Sequence, residues 1–239
     1  MSVKLRIWVV TGAALLGVAV TLALGRWQLG RADQKQTLQA RIDARAQLPL
    51  LDGRSLASAL DEELLHRRIE AQGQWLPQHT VFLDNRQMNG RPGFFVLTPL
   101  RLEGGTIVLV QRGWAPRNFE DRLRVPQVDT PAGVVKVQGR IAPAPSKLYE
   151  MGTAGTGPIR QNLDLAQYRA ETGLPLVAGS IQQTGAPEQD DGLLRDWPQI
   201  NTGVDKHYGY AFQWFGLSAL IALLYVWFQI VRRPQQRQA

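Results

Sequence analysis

The sequence contains no cysteine, only three histidines and only three methionines. Without cysteine, disulfides, zinc–thiolate sites and a cysteine nucleophile are all excluded. The few imidazole and thioether groups also argue against a copper carrier, which needs clustered soft ligands. Any metal ion would therefore have to arrive inside a cofactor.

Acidic residues are missing from both ends of the chain, and this accounts for most of the net charge of +7. The basic residues of these ends are Lys4, Arg6, Arg232, Arg233 and Arg237. When they are set aside, 22 basic residues remain against 20 acidic ones. A nearly neutral middle argues against the broad basic surface that nucleic-acid binding requires.

Two long runs contain no charged residue, and we predict that each crosses a membrane as a helix. Residues 7–24 would span about 27 Å and residues 208–231 about 36 Å at 1.5 Å per residue. A cleaved signal peptide is the alternative for the first run, but no A-x-A cleavage site follows it. We therefore expect a multi-pass protein of the bacterial inner membrane, with residues 25–206 as a folded domain between the spans.

The flanking charges predict how the chain is oriented in the membrane. Three arginines follow the second run closely, whereas only Lys206 precedes it. Both termini should therefore lie in the cytoplasm, and two crossings then place residues 25–206 in the periplasm.

The middle of the chain predicts six strands, because runs of β-branched and aromatic residues lie between turn signals. The predicted strands cover residues 67–75, 80–87, 93–102, 106–114, 134–141 and 176–183. Residues 31–47 predict a polar helix that continues outward from the first span, and a short helix should begin at Asn162 and end at Gly173. The expected fold class is membrane α plus extramembrane α/β: two spanning helices flank a mainly antiparallel mixed sheet or partly closed barrel with short helices.

The sequence carries no arrangement that predicts catalysis. The run GTAGTG at residues 152–157 lacks the Lys-Ser/Thr end of a phosphate loop and is typical of a surface loop. His66, His79 and His207 follow no metal-ligand spacing, and no nucleophile with a matching base can be identified. We therefore do not expect an enzyme.

His207 stands directly before the second apolar run, with Tyr210, Ala211 and Trp214 at helical offsets of three, four and seven. These four residues share one face of a helix. In one interpretation they are an interfacial belt at the level of the lipid headgroups. In the other, the imidazole is a ligand to haem iron and the aromatic rings lie against the macrocycle.

Two arginines lie beyond the first run, on the side where the charge rule does not expect them. Arg26 and Arg31 both belong to the segment GRWQLGR. They either extend to lipid phosphates or, if a haem is bound, pair with its propionates.

Four motifs follow one another along the chain in an order typical of a known family. The motifs are GRWQLGR at residues 25–31, FLDNRQMNGRPGFFVLTPL at 82–100, VQRGWAPR at 110–117 and HYGYAFQWF at 207–215. Together with the two spans they resemble the Surfeit locus protein 1 family of cytochrome c oxidase assembly factors. The resemblance covers nearly the whole chain and implies a role in building the haem a and copper subunit of the terminal oxidase.

The resemblance also implies a site and partners. In that family the histidine at the head of the second spanning helix is implicated in haem binding, so His207 is the candidate axial ligand of a transiently bound haem a. Tyr210, Trp214, Arg26 and Arg31 complete the candidate site. The implied partners are the main subunit of cytochrome c oxidase, haem a synthase and the lipid bilayer.

A scaffold without a cofactor is the alternative hypothesis. In that case the segments RPGFFVLTPL and QRGWAPR form a docking surface for an oxidase intermediate, and His207 is only an interfacial residue. The candidate contact residues are Trp27, Arg91, Pro92, Gly93, Arg112, Gly113 and Trp114. A Soret band that depends on His207 would favour the haem hypothesis.

Overall fold

The computed structural model describes residues 2–56, 62–118, 124–148, 155, 157–186, 190–197 and 203–232. The GTAGTG run lies largely outside these residues. The chain divides into two compact units: a helical unit of Met1–Arg41 with Gln199–Ala239, and a barrel unit of Ile42–Pro198.

Three helices and eight strands make up the regular structure of the described residues. The helices are α1 (Val3–Ala46), α2 (Leu165–Thr172) and α3 (Val204–Val226), with a π-helical turn at Trp227–Val231. The strands are β1 (Leu51–Asp52), β2 (Arg68–Trp75), β3 (Val81–Met88), β4 (Arg91–Leu102), β5 (Ile107–Pro116), β6 (Val134–Ala142), β7 (Ile159–Arg160) and β8 (Leu176–Gln183). The six predicted strands are confirmed to within about two residues at each end.

Helices α1 and α3 both have the length and composition of membrane spans, as a membrane protein requires. The 44 residues of α1 extend about 66 Å, roughly twice the thickness of a hydrocarbon core. The polar half of α1 therefore continues well beyond the apolar run.

Within the helical unit, α1 and α3 pack antiparallel. Thr11 near the start of α1 hydrogen-bonds Tyr225 near the end of α3, with 2.8 Å between the hydroxyl oxygens. Buried and half-buried residues recur every three or four positions on both helices, the spacing of a coiled-coil seam. The seam contains Ile7, Thr11, Ala14, Val18, Thr21, Gly25, Gln28 and Ala32 of α1, and Val204, His207, Ala211, Trp214, Ser218, Ile221 and Tyr225 of α3.

The barrel unit is built around five strands that close into a ring. Neighbours pair in the order β2–β6–β8–β5–β4, and β4 pairs with β2 to close the ring. All these pairings are antiparallel except that of β5 with β8. This confirms the expected fold class of spanning helices flanking a mixed β domain, and the barrel is completely closed.

Closure depends on a close approach between β2 and β4. One edge of β2 pairs with β6 along Arg68–Gln74, and the other pairs with β4 only at Gly73–Trp75. A Cβ atom at Gly73 would lie 2.3 Å from the carbonyl oxygen of Arg101. Glycine is therefore required where the two strands meet.

The two largest apolar clusters among the described residues are formed largely by strands of the barrel unit. The barrel interior contains Leu56, Ile69, Ala71, Trp75, Leu100, Leu102, Val108, Val110, Val137, Ile141, Val177 and Ile181. A second cluster lies beside α2 and contains Leu76, Val81, Leu83, Leu97, Ile107, Leu109, Leu163, Tyr168 and Leu176. Strands β4 and β5 contribute to both clusters, which explains why nearly every residue of β5 is buried.

The start of α2 differs from the prediction. The Asp164 side chain accepts hydrogen bonds from the backbone N–H groups of Ala166 and Gln167, so the N-cap of the helix lies two residues later than expected. Asn162 cannot cap it because its side chain bonds the backbone N–H and carbonyl of Leu148. The predicted end at Gly173 is confirmed, with φ of 68°.

Candidate functional site

His207 lies in the first turn of α3, half-buried against α1. Its Nδ1 atom is 2.7 Å from the Oε1 atom of Gln28. Gln28 belongs to the segment GRWQLGR and faces α3 because it occupies a seam position. Within the described parts of the chain, the Nε2 atom of His207 has no hydrogen-bond partner.

The neighbours of His207 on α3 do not all face the same way. Ala211 is 2% exposed and packs into the seam, whereas Tyr210 is 51% exposed beside it. Trp214 is half-buried one turn further along. Ala211 and Trp214 therefore lie in the seam with His207, whereas Tyr210 lies at its edge.

The two arginines of the candidate site point in different directions. Both side chains are exposed. Each helical residue turns the chain by about 100°, so Arg31 lies about 60° and Arg26 about 160° around α1 from Gln28. Arg26 therefore faces away from α3, whereas Arg31 lies beside the seam.

The contact between Tyr208 and Gln36 shows which side Arg31 occupies. The Tyr208 hydroxyl lies 3.4 Å from the Gln36 amide oxygen and marks one side of the seam. Tyr210 lies about 200° around α3 from Tyr208, and Arg31 about 140° around α1 from Gln36. Arg31 and Tyr210 are thus on the same side of the seam and flank His207.

Arg31 is oriented by two neighbours on its own helix. Its guanidinium lies 6.0 Å from the ring centroid of Trp27, and its Nη1 atom donates to Oε1 of Gln34 at 3.1 Å. Trp27 is 56% exposed. This side of the helix pair therefore presents the cation of Arg31 with the aromatic rings of Trp27 and Tyr210, next to the seam that contains His207.

Four of the residues expected to form a docking surface are buried, which corrects that expectation for them. Arg112 and Trp114 are 2% and 1% exposed, and Gly93 and Gly113 are also buried. They lie on β4 and β5, and each of these strands is hydrogen-bonded to a neighbouring strand along both of its edges. Arg91 is exposed and Pro92 half-buried, so these two remain accessible.

Arg112 connects the barrel to a later segment of the chain. Its Nη2 atom lies 3.2 Å from Oδ2 of Asp191, and its guanidinium lies 4.7 Å from the ring centroid of Trp75. Asp191 also pairs with Arg195, at 2.5 Å. Burial lowers the pKa of Arg112, while the Asp191 carboxylate opposes that shift. The charge is thus compensated within the barrel rather than presented to a partner.

Gly113 and Trp114 bind the same segment through the backbone. Trp114 and Leu194 exchange two backbone hydrogen bonds, of 2.7 and 2.9 Å. A Cβ atom at Gly113 would lie 2.7 Å from Cβ of Leu193. The motif VQRGWAPR therefore fixes residues 190–197, the last described segment before α3.

Arg86 of the second motif is also a structural residue. It is 4% exposed, and its Nη2 atom donates to the carbonyl of Gln161 at 2.9 Å. Its own carbonyl accepts from the indole Nε1 of Trp114 at 2.9 Å. Burial lowers the pKa of Arg86.

The described residues contain no group of three or more His, Cys, Asp or Glu side chains that could hold a metal ion. A single imidazole with a free nitrogen is sufficient, however, for an iron that is already held in a macrocycle. The donor set around His207 therefore fits a haem better than a free metal ion.

Comparisons with known proteins show which family the chain resembles over most of its length. The model of the SURF1 family matches residues 15–219. A SURF1-like protein of Rickettsia bellii is 22% identical over 215 residues, covering 88% of this chain and 87% of the relative. An uncharacterized SURF1-like protein of Mycobacterium tuberculosis is 27% identical over 240 residues, covering 95% and 86%. A SURF1-like protein of Dictyostelium discoideum is 24% identical over 256 residues, covering 90% and 93%.

Proposed function

The chain belongs to the SURF1 family, and from this premise we propose that it helps to assemble a haem–copper terminal oxidase by holding haem a at His207. Proteins of this family are known as oxidase assembly factors rather than as catalysts. The haem would be bound transiently and passed to the main oxidase subunit.

The observation that carries the proposal is the state of the His207 ring. One nitrogen is held by Gln28 at 2.7 Å, and the other has no hydrogen-bond partner among the described residues. An imidazole held through one nitrogen, with the other nitrogen open, is a common ligand of haem iron. When bound, the haem would supply the iron that this nitrogen ligates.

The surroundings of His207 suit an amphipathic ligand. Tyr210 and Trp214 supply aromatic surface beside the imidazole, at the end of a long apolar helix. Haem a carries an isoprenoid tail, which would stay in the lipid while the ring lies at the membrane boundary. Aromatic side chains with a polar edge are favoured at this depth.

Arg31 is the stronger candidate partner for the haem propionates. It lies beside the seam on the same side as Tyr210, and an exposed guanidinium can pair with a carboxylate. Arg26, on the far side of α1, would act over a longer distance or contact lipid phosphates instead.

We place the protein in a bacterial inner membrane with both termini in the cytoplasm and the barrel unit in the periplasm. The charge asymmetry around α3, where arginines follow the helix, supports this orientation. Haem a synthase and the main oxidase subunit are the proposed donor and acceptor of the haem. The exposed apolar side chains of the two helices, such as Trp8 and Phe212, would contact lipid or these partners.

The proposal is tested by co-expressing the protein with the enzymes that make haem a and purifying it in detergent. The haem recovered per protein and the Soret band are then measured. We expect His207→Ala to lose most of the haem while the protein still inserts and folds. His79→Ala, in a short turn of the barrel unit, is the matched control and should keep the haem.

An unchanged haem content and spectrum in His207→Ala would overturn the ligand assignment. If the wild-type protein carries no haem and still supports oxidase assembly, the scaffold without a cofactor replaces this proposal.

A further inference from the structure

Gln28 is the only described residue that hydrogen-bonds the His207 ring, and it does so from another helix, 179 positions away in the chain. Both residues occupy seam positions of the helical unit. A polar pair at seam positions specifies the register of two packed helices, and in membranes such side chains hydrogen-bond from one helix to the other.

The chemistry of the pair decides where the proton of His207 lies. An amide oxygen has lone pairs only and cannot donate, so the nitrogen that faces it must carry the hydrogen. Neutral imidazole has a single N–H group. With that proton on Nδ1, the Nε2 atom retains the lone pair that metal coordination requires.

We propose that Gln28 is a positioning residue for His207: its amide oxygen holds the ring as the Nδ1–H tautomer and aims Nε2 away from the seam. The consequence for haem a rests on the function proposed above, whereas the tautomer itself does not. Metal-ligating histidines commonly donate their other N–H to a carbonyl or carboxylate, which fixes both tautomer and ring orientation.

A neutral amide suits this position better than a carboxylate. The apolar run of each helix lies on one side of the pair, and an unpaired charge is costly near the hydrocarbon. An amide oxygen also accepts a hydrogen bond from Nδ1–H without taking the proton from the ring. Gln28 would thus orient His207 without changing its charge.

The tautomer can be measured in the protein without haem. Full-length protein with ¹⁵N-labelled histidine is purified in detergent, and the chemical shifts of the two ring nitrogens distinguish the protonated nitrogen from the bare one. The chain has three histidines, so a His66→Gln/His79→Gln variant leaves His207 as the single signal. We expect Nδ1 protonated and Nε2 bare at a pH where the ring is neutral.

Two substitutions test whether Gln28 is the cause. Gln28→Leu removes the acceptor at similar size, and we expect the His207 signals to move toward a mixture of both tautomers. Gln36→Leu is the matched control, because it removes another glutamine of α1 that bonds α3, at Tyr208. That control should leave the tautomer of His207 unchanged.

The haem-loaded protein supplies a second measurement. Losing the partner of a metal-ligating histidine typically lowers metal affinity by about 10-fold to 100-fold. We therefore expect Gln28→Leu to release haem at least about tenfold faster to an excess of a haem-scavenging protein. Gln28→Glu should keep the haem and lower its reduction potential, because a carboxylate makes the imidazole more electron-rich.

The two proposals fail in distinguishable ways. A His207 ring protonated at Nε2 in the wild-type protein, or signals unaffected by Gln28→Leu, would overturn the role of Gln28 even if haem is bound. Nδ1 protonation that depends on Gln28, in a protein that never takes up haem, would support the positioning role while removing the proposed haem function.

Discussion

The barrel unit and the helical unit both bury polar side chains, but they compensate them differently. In the barrel, Arg112 and Asp191 form a charged pair whose side chains are 2% and 3% exposed. In the helical unit the polar residues of the seam are uncharged in their usual state, and Thr21 bonds the carbonyls of Gly17 and Val18 on its own helix. Ion pairs are tolerated where the surrounding protein supplies partners, whereas a helix in lipid favours groups that are satisfied locally.

The buried charges of the barrel stabilise its fold, whereas the polar pair of the helical unit is the one that we propose to bind a ligand. In the barrel, arginine side chains of the motifs that resemble the family form hydrogen bonds and ion pairs with segments far away in the sequence. In the helical unit, the Gln28–His207 pair leaves one ring nitrogen without a hydrogen-bond partner among the described residues. The haem chemistry that we propose therefore belongs to the helices, and the barrel motifs support the fold.

The largest expected effect is on the charged pair of the barrel. Asp191→Ala leaves the buried cation of Arg112 without its carboxylate, and we expect it to lower the free energy of unfolding by about 3–5 kcal/mol. Urea unfolding of the full chain in detergent, followed by tryptophan fluorescence, measures this. Glu103→Ala is the control, because its partner Arg54 is 74% exposed and the expected loss is about 1 kcal/mol or less. If both variants lost the same free energy of unfolding, the buried pair would not stabilise the fold more than the exposed pair does.

The next effect concerns the close packing of the helices. A Cβ atom at Gly25 would lie 2.6 Å from the Phe215 ring, whereas one at Gly30 meets nothing within 4 Å. Gly25→Val should therefore destabilise the helix pair by about 1–3 kcal/mol, as overpacking does, and Gly30→Val should not. Cross-linking between cysteines introduced at Thr11 and Tyr225, in a chain that has no other cysteine, measures the pairing as temperature rises. Identical cross-linking in both valine variants would contradict this packing.

A smaller effect distinguishes the two arginines of the helical unit. Arg31→Ala should lower the haem recovered per protein by about fivefold, the equivalent of about 1 kcal/mol for an exposed ion pair. Arg26→Ala should cause a smaller loss, because that side chain faces away from α3. Haem content and reporter fusions for topology are measured on both variants. A larger loss for Arg26→Ala would place the propionates on the other side of α1.

The smallest effect is a pH dependence in the barrel unit. Burial, together with Arg140 and Arg45, lowers the pKa of His66 below its usual 6.5. As pH falls through 6.5, the unfolded chain therefore binds a proton that the folded chain does not, and this decreases stability. His66→Gln should reduce the difference in unfolding free energy between pH 7.5 and pH 5.5. An unchanged difference would assign the pH dependence to other groups.

Local patterns in the sequence predict the elements of this fold well. The six main strands and the end of α2 follow from alternation and from Gly173, because these signals act within a few residues. Partners that lie far apart in the chain leave no such signal. The parallel pairing of β5 with β8 and the closure of β2 on β4 fall in this class, so the complete ring could not be predicted.

The same limit applies to the site residues. The position of His207 at the head of a spanning helix is visible in the sequence, but Gln28 as its partner is not, because the two are joined only by helix packing. Arg112 and Trp114 resemble contact residues in the sequence since arginine and tryptophan are common at interfaces. Their burial results from Asp191 and Leu194, about 80 residues later, which no local pattern connects to them.

The most direct test of the haem site replaces the proposed ligand and then restores it. His207→Gly is purified after co-expression with the haem a enzymes, and its visible spectrum is recorded before and after imidazole is added. We predict that the substitution removes the Soret band of the bound haem, and that free imidazole together with haem a restores it. A wild-type spectrum in His207→Gly without imidazole would show that another residue holds the haem.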